Sequence, residues 1–235
     1  VSAGSPYDDC PRVVAGPGSP ARPLRRFALI GDVHAEDARL EAAIALARAA
    51  SVEAFLCVGD VADGHGDLDR TLTILVSEGV IVARGNHDRW FLTDELRTLV
   101  PTQLRAEHPR VAQTMRYWLP FVEASTVRGP LLLCHAIGDD DFAFAKPRHT
   151  DDEIRAQPSW TRLRDAGRFR FMAAGHTHEA MVRTIDGVTI LNPGTLKRDD
   201  DPCTAIVDLE LGVMDVHDLA DASMPRLRER LVVPR

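Results

Sequence analysis

Residues 26–88 read RFALIGDVHAEDARLEAAIALARAASVEAFLCVGDVADGHGDLDRTLTILVSEGVIVARGNHD, and the fold is decided here. FALI (27–30), AFLCV (54–58) and VIVARG (80–85) are short apolar runs of the kind that become buried strands. Between them, EDARLEAAIALARAA (36–50) and LDRTLTILVSEG (68–79) carry helical periodicity. Leu40, Ile44 and Ala47 share one face of the first helix as a core-packing stripe. Asp67 stands where it can cap the second. Strand–helix units repeating every ~26–28 residues predict parallel βαβ crossovers and an α/β fold.

Outward from this stretch the pattern changes twice. Residues 90–120 are helix-prone (TDELRTLV, then HPRVAQTMRYWL), with Pro101 and Pro109 as breaks. After them the chain turns β-rich, through FVEAST, GPLLLCHA, FRFMAAGH, AMVRTID, VTILN, TAIVDLE and VMDVHDL. One helix over about 151–165 interrupts these runs. Asp186-Gly187, set between alternating apolar runs, predicts a hairpin. Residues 1–24, rich in Pro, Gly and Ser, read as a flexible lead-in, and 221–235 as a C-terminal tail.

Composition narrows the function. The chain has 235 residues, 45% of them hydrophobic and 27% charged, as in a globular protein with a sizeable core. Its apolar runs stop at about ten residues, short of the ~20 that span a bilayer. Net charge is −7, against the basic surface of a general nucleic-acid binder, so no stable nucleic-acid binding is expected. Any anionic substrate must be neutralised locally, by a metal or a few arginines. Cys10, Cys57, Cys134 and Cys203 form no CxxC pair and read as buried free thiols. The N-terminus lacks the layout of a signal peptide, and a cytoplasmic location is expected.

The chemistry gathers at strand ends. Gly31-Asp32-Val33-His34 closes the first strand, Gly59-Asp60 the second and Gly85-Asn86-His87-Asp88 the third. Further on, His135 follows LLLC, Gly175-His176-Thr177-His178 follows FMAA, and Asn192-Pro193-Gly194-Thr195 follows VTIL. Five of the nine histidines and both asparagines lie in these segments, which a shared cleft explains best. Asp and His placed after buried strands cost stability unless partnered. Divalent cations would satisfy them together, and imidazole with carboxylate suits Mn, Fe, Zn, Ni or Co.

DxH, GD, GNHD, a lone His and GHxH, in this order, resemble the calcineurin-like metallophosphoesterases over about Phe27–Leu211. NPGT and the compact length are more similar to the small bacterial and archaeal phosphodiesterase-like branch. The resemblance implies a four-layer α/β/β/α sandwich of two mixed sheets with flanking helices, in a domain spanning 25–220. It implies that Asp32, His34 and His178 hold one divalent metal, that Asn86, His135 and His176 hold a second, and that Asp60 bridges them. Manganese is the first expectation for both. Such a pair polarises a phosphoryl oxygen and activates a bridging hydroxide for attack on phosphorus. His87 would act as general acid, oriented by Asp63, while Asp88 points elsewhere if its segment is extended.

Substrate binding is expected from Asn86 and from Arg84 and Arg89, the two arginines being equally readable as surface charges. Family protein phosphatases carry Arg directly after the residue matched by Asp63; here it is Gly64, which weakens that reading. Residues 90–120, with Trp90, Phe91, Tyr117 and Trp118, are a candidate helical cap over the pocket. His65, His108, His149 and His217 read as surface residues, and the acidic runs 139–141 and 199–201 as solvated turns. DGHGDLD (63–69) fails the EF-hand spacing for calcium. The expected reaction is hydrolysis of a small phosphomonoester, phosphodiester or nucleotide. A serine/threonine protein phosphatase, a dinucleoside polyphosphate hydrolase and a silent binding scaffold of the same fold are the alternatives.

Overall fold

Alternation along the central strands sorts their side chains between layers. In β1 (Arg26–Ile30), Phe27 and Leu29 join one apolar cluster while Ile30 joins a second; in β2 (Phe55–Cys57), Leu56 and Cys57 divide the same way. In β5 (Gly129–Cys134), Leu131 and Leu133 enter the first cluster, and Leu132 and Cys134 enter a third. β6 (Phe171–Ala173) repeats this with Phe171 and Ala173 against Met172. Successive strand residues face opposite sides, so the first cluster fills the space between two sheets and the others lie under outer helices.

The computed structural model describes residues 5–98 and 101–234. α1 (Asp37–Ala49), α2 (Leu68–Ser77), α3 (Asn86–Thr93) and α4 (Pro109–Met115) cover the second cluster. Leu40, Ile44 and Ala47 of α1 are buried, and Asp67 caps α2 by accepting from Arg70 N at 2.9 Å. α5 (Asp151–Arg155) and α6 (Pro158–Ala166) cover the third cluster through Ile154, Trp160 and Leu163. The single helix expected over 151–165 is thus two, because Pro158 lacks the N–H that would continue α5 and instead starts α6.

The remaining strands are β3 (Ile81–Val82), β4 (Phe121–Thr126), β7 (Met181–Ile185), β8 (Val188–Asn192), β9 (Cys203–Asp208), β10 (Val213–Asp218) and β11 (Arg226–Val232). One sheet runs β11-β10-β9-β1-β2-β3 and the other β4-β5-β6-β8-β7. Each contains a parallel triad, β1-β2-β3 and β5-β6-β8. Two mixed sheets face to face, with helices outside, form an α/β/β/α sandwich. The β7–β8 hairpin turns at Asp186 (φ 49°) and Gly187 (φ 84°), the left-handed pair that an Asp-Gly turn favours.

Two expectations at the chain ends are corrected. Residues 5–24 pack against β4 rather than forming a free lead-in: Val13 N donates to Glu123 O at 3.0 Å and Leu24 N to Ser125 O at 2.9 Å. Tyr7 and Leu24 are fully buried, and Tyr7 lies against Phe121 and Phe169 at 5.5 Å centroid distances. Few apolar residues suffice because two are large and fully enclosed. Residues 1–4 lie outside the described part. The expected tail 221–235 contains β11, which pairs with β10, and buried Val233. Most of β11 is exposed, so RLRERLV carries no apolar alternation to announce it.

Candidate metal centre

The two parallel triads deliver their carboxyl ends to one place. Thr195, beyond β8, joins Asp32, beyond β1: Leu196 N and Thr195 Oγ1 both donate to Asp32 O at 2.9 Å. Asn192 Nδ2 donates to Gly175 O at 3.1 Å and to Thr177 Oγ1 at 3.0 Å, tying the NPGT and GHTH segments together. His34, Asp60, Asp63, His176 and His178 all have positive φ, between 45° and 65°. This is a conformation that non-glycine residues seldom adopt, and such strain concentrates at functional sites.

Two groups of donors converge there. Ligand atoms of Asp32, His34 and His178 lie within 4.8 Å of one another, and so do those of Asp60, His135 and His176. The groups adjoin: Asp32 Oδ1 is 3.8 Å from His135 Nδ1 and 3.9 Å from His178 Nε2. Asn86 Oδ1 lies 2.8 Å from His135 Nε2 and 3.0 Å from His176 Nδ1. All seven residues expected as metal ligands are therefore assembled.

Hydrogen bonds behind the rings set which nitrogen faces inward. His34 Nδ1 lies 2.7 Å from Asp63 O, His135 Nδ1 2.8 Å from Val58 O, and His178 Nδ1 2.6 Å from Asp200 Oδ2. A proton held on each Nδ1 leaves Nε2 as a lone-pair donor, and His34 Nε2 and His178 Nε2 face each other at 3.3 Å. This set fits divalent cations, because lone pairs and buried carboxylates converge on shared positions. Asn86 agrees: its oxygen points inward if a cation is held, whereas the reversed amide would donate to His135 and His176.

Charge follows the same geometry. Burial opposes a positive His135, yet Asp60 and Asp32 outweigh it and raise its pKa to about 10. Burial would raise Asp60, but His135 holds it well below the carboxylate range. His34 and His176 are pushed down, first by burial. The carboxylates thus favour positive charge at His135, while burial opposes it at His34 and His176.

His87 stands beside the donors at the start of α3, its ring 5.0 Å from that of His34. Its Nδ1 lies 2.9 Å from Asp63 Oδ2. Burial disfavours a charged His87, but Asp63 and Asp60 raise its pKa above the ordinary value. Asp63 is itself gripped by Arg97, Nη1 to Oδ1 at 2.8 Å and Nη2 to Oδ2 at 2.9 Å, and Gln103 N donates to it at 3.2 Å. Burial would raise the Asp63 pKa, but His87 and Arg97 lower it.

Asp88 does not lie on an extended segment as supposed, since its segment is helical. It is buried, pushed up to about 6 by burial and Asp60, and accepts from Val61 N, Ala62 N and Gly85 N. It is a brace for the loop after β2. Gly85 is packed so closely that a Cβ there would lie 2.2 Å from Asp60 Oδ1.

Sequence reasoning passed over Arg97, Gln103 and Asp200, which reach the site from loops. Arg89 is committed to Asp141, at 2.7 and 3.1 Å, and to Glu95, which removes it as a ready phosphate clamp. Arg84 lines a cleft of about 460 Å³ with Arg89, His135, Arg162 and Asp139–Asp141. The 139–141 run is thus not merely a solvated turn, and Arg162 and Arg89 neutralise Asp139 and Asp141. Of the 199–201 run, Asp200 partners His178 and Asp201 pairs with Arg228. Among the other histidines, His217 is half-buried on β10 rather than exposed, and His108 is held by Asp69 at 2.6 Å. All four cysteines are free and buried.

The calcineurin-like phosphoesterase superfamily domain matches residues 26–212. The chain belongs to this family. No curated protein matches it significantly in sequence. Among solved structures it is similar to a metallophosphoesterase from Sphaerobacter thermophilus, with 20% identity, TM-score 0.59, and coverage of 83% of this chain and 88% of that one. It is also similar to the phosphoesterase YfcE of E. coli, at 16%, 0.55, 89% and 100%. Vps29 of Entamoeba histolytica, complexed with Zn²⁺, is similar at 16%, 0.51, 89% and 99%. These likenesses are of fold. At Gly64, where the resemblance to the family's protein phosphatases would place an arginine, the space is closed. A Cβ on Gly64 would lie 1.6 Å from His34 O, so no side chain fits.

Proposed function

We propose that this chain is a dinuclear, divalent-metal-dependent hydrolase of small phosphomonoesters or phosphodiesters. The observation that carries the reading is the pair of adjoining donor groups with His87 and its Asp63–Arg97 support beside them. Asp32, His34 and His178 would hold one cation, Asn86, His135 and His176 the other, and Asp60 would serve both. Manganese is the first choice, with Fe, Zn, Ni and Co compatible with the same donors. When bound, such a pair supplies Lewis-acid polarisation of the phosphoryl group and an acidified water.

The chain's own residues do the rest. Asp63 holds the Nδ1 proton of His87, leaving Nε2 to pass a proton to the leaving oxygen. Arg97 and Gln103 fix Asp63, so the ring stays aimed. Asp63 O, Val58 O and Asp200 keep three of the four ligand imidazoles, His34, His135 and His178, in one tautomer. Arg84, in the cleft beside His135, is the arginine left for a substrate anion once Arg89 is engaged. Residues 90–120 would form the rim of the pocket through Trp90, Arg97 and Gln103; residues 99–100 lie outside the described part. Phe91 is buried in the core and Tyr117 is exposed. Four free thiols favour a reducing compartment such as the cytoplasm.

A serine/threonine phosphatase is disfavoured by the closed position at Gly64, while a dinucleoside polyphosphate remains within the substrate class. The likeness to Vps29 supports a binding scaffold as the second reading, although a scaffold has no use for His87 on Asp63. Metal-stripped protein assayed on p-nitrophenyl phosphate and bis-p-nitrophenyl phosphate, with Mn, Ni, Co, Zn and Mg restored singly, decides between them. Metal-dependent turnover supports the hydrolase; folded protein that binds two ions and turns over neither ester supports the scaffold.

A further inference from the structure

Large apolar side chains at a protein surface are ordinarily scattered, and several beside a polar site call for a physical reason. Phe142 is 55% exposed and Phe144 39% exposed, and both stand at the candidate metal centre. The Phe142 ring lies 5.3 Å from that of His176 and 6.1 Å from Trp90, while Trp90 lies 4.8 Å from His87. Phe144 extends the arc, 6.3 Å from His176. Aromatic faces thus flank the donor groups from the general-acid candidate to the far ligand histidine.

The segment carrying them is held, not left to collapse inward. Asp140 Oδ1 accepts from Phe142 N at 3.0 Å and from Ala143 N at 3.1 Å. Gln157 brackets Phe144, its Oε1 accepting from Phe144 N at 3.1 Å and its Nε2 donating to Phe144 O at 2.9 Å. Arg89 fastens Asp141, and Arg162 with Tyr7 fastens Asp139. These bonds keep two phenylalanines facing water next to charged ligands.

We infer that Phe142 and Phe144, backed by Trp90, form a stacking platform for a planar aromatic group of the phosphate ester, a nucleobase or an aryl ring. The inference rests on the hydrolase reading and names its substrate class. Stacking on an aromatic side chain tolerates any base, because each presents a π-face. An aliphatic ester of equal charge would meet the same donors but leave these rings bare.

Binding separates the two readings. Calorimetric titration of the Mn²⁺-loaded protein would use adenosine monophosphate, phenyl phosphate and ribose 5-phosphate, which share the phosphate and differ in the ring. The wild-type chain is expected to bind at least one aromatic ligand about tenfold more tightly than ribose 5-phosphate. A preference for the nucleotide assigns a nucleobase, and a preference for phenyl phosphate an aryl group. The ratio should fall toward one in the Phe142→Ala/Phe144→Ala double variant and persist in Phe142→Tyr/Phe144→Tyr. Equal wild-type affinity for all three, or a preference that survives the double alanine change, overturns the platform alone. No binding of any of the three also overturns the platform, and the hydrolase reading then stands or falls separately on metal-dependent turnover of the two p-nitrophenyl esters.

Discussion

Arg97 meets both carboxylate oxygens of Asp63, and Asp63 in turn meets His87, so a residue from the loop after α3 governs a ring ten positions before it. The Arg97 side chain is 11% exposed and that of Asp63 1% exposed, so solvent screens this contact little. The two-pronged geometry is one that only a guanidinium provides.

Replacing Arg97 with Met should therefore lower kcat about tenfold, or ~1.4 kcal/mol of barrier, with KM and metal content little changed. Arg97→Lys should recover only part of the loss. Steady-state kinetics paired with metal analysis reads this, and a parallel loss of bound metal would show that Arg97 supports the fold and not the ring.

His87→Ala should cost roughly 10²–10⁴ in rate on an alkyl phosphate ester. A p-nitrophenyl ester should suffer less, since its leaving group departs without a proton. Equal losses on both esters would argue against proton donation by His87.

Cation binding should stabilise the fold, because it relieves buried carboxylates and lone pairs. At a hundredfold excess over Kd, one site contributes about 2.7 kcal/mol. For a chain of this size that raises Tm by roughly 5–10 °C. Calorimetric scans with Mn²⁺ and with chelator test it; unchanged Tm values would remove the metal centre from the reading.

The N-terminal segment makes a separate prediction. Tyr7 is fully enclosed by Phe121 and Phe169, and Arg168 Nη1 donates to its carbonyl at 2.7 Å. Tyr7→Ala should destabilise by about 3–5 kcal/mol, as for other large aromatic truncations. Denaturant titration would expose an error here if the midpoint stayed within experimental scatter.

One surface pair gives a pH signature. Asp215 of β10 bonds Arg230 of β11 at 2.6 and 2.8 Å, and that bond holds its carboxyl below the ordinary range. A depressed carboxyl stabilises above its unfolded pKa of ~3.9 and loses the contribution as pH falls through the lower folded value. Arg230 is 56% exposed, so Arg230→Met should lower stability at pH 7 only slightly. Denaturation at pH 7 and near pH 3 should show that difference shrinking with acid.

The parts legible in the sequence were those written locally. Apolar runs ending in Gly-Asp, Asn-His or Gly-His mark strands and their site-facing ends together, so the expected ligands assemble. Arg97, Gln103 and Asp200 reach the site from loops whose course depends on tertiary packing, and their neighbours in the chain give no hint of it. Phe142 and Phe144 sit in a segment whose three aspartates drew attention to charge instead. β11 escaped because an edge strand bearing Arg and Glu on exposed positions has no buried face to show.

The wide spacing of the donors has a consequence for biosynthesis. His34 and His178 meet across 144 residues, and His135 and His176 across 41. A nascent chain leaving the ribosome exposes Asp32, His34 and Asp60 long before the GHTH segment exists to complete either donor group. Cation binding by either group would accordingly be acquired late in synthesis, and a premature stop before His176 would leave neither donor group complete.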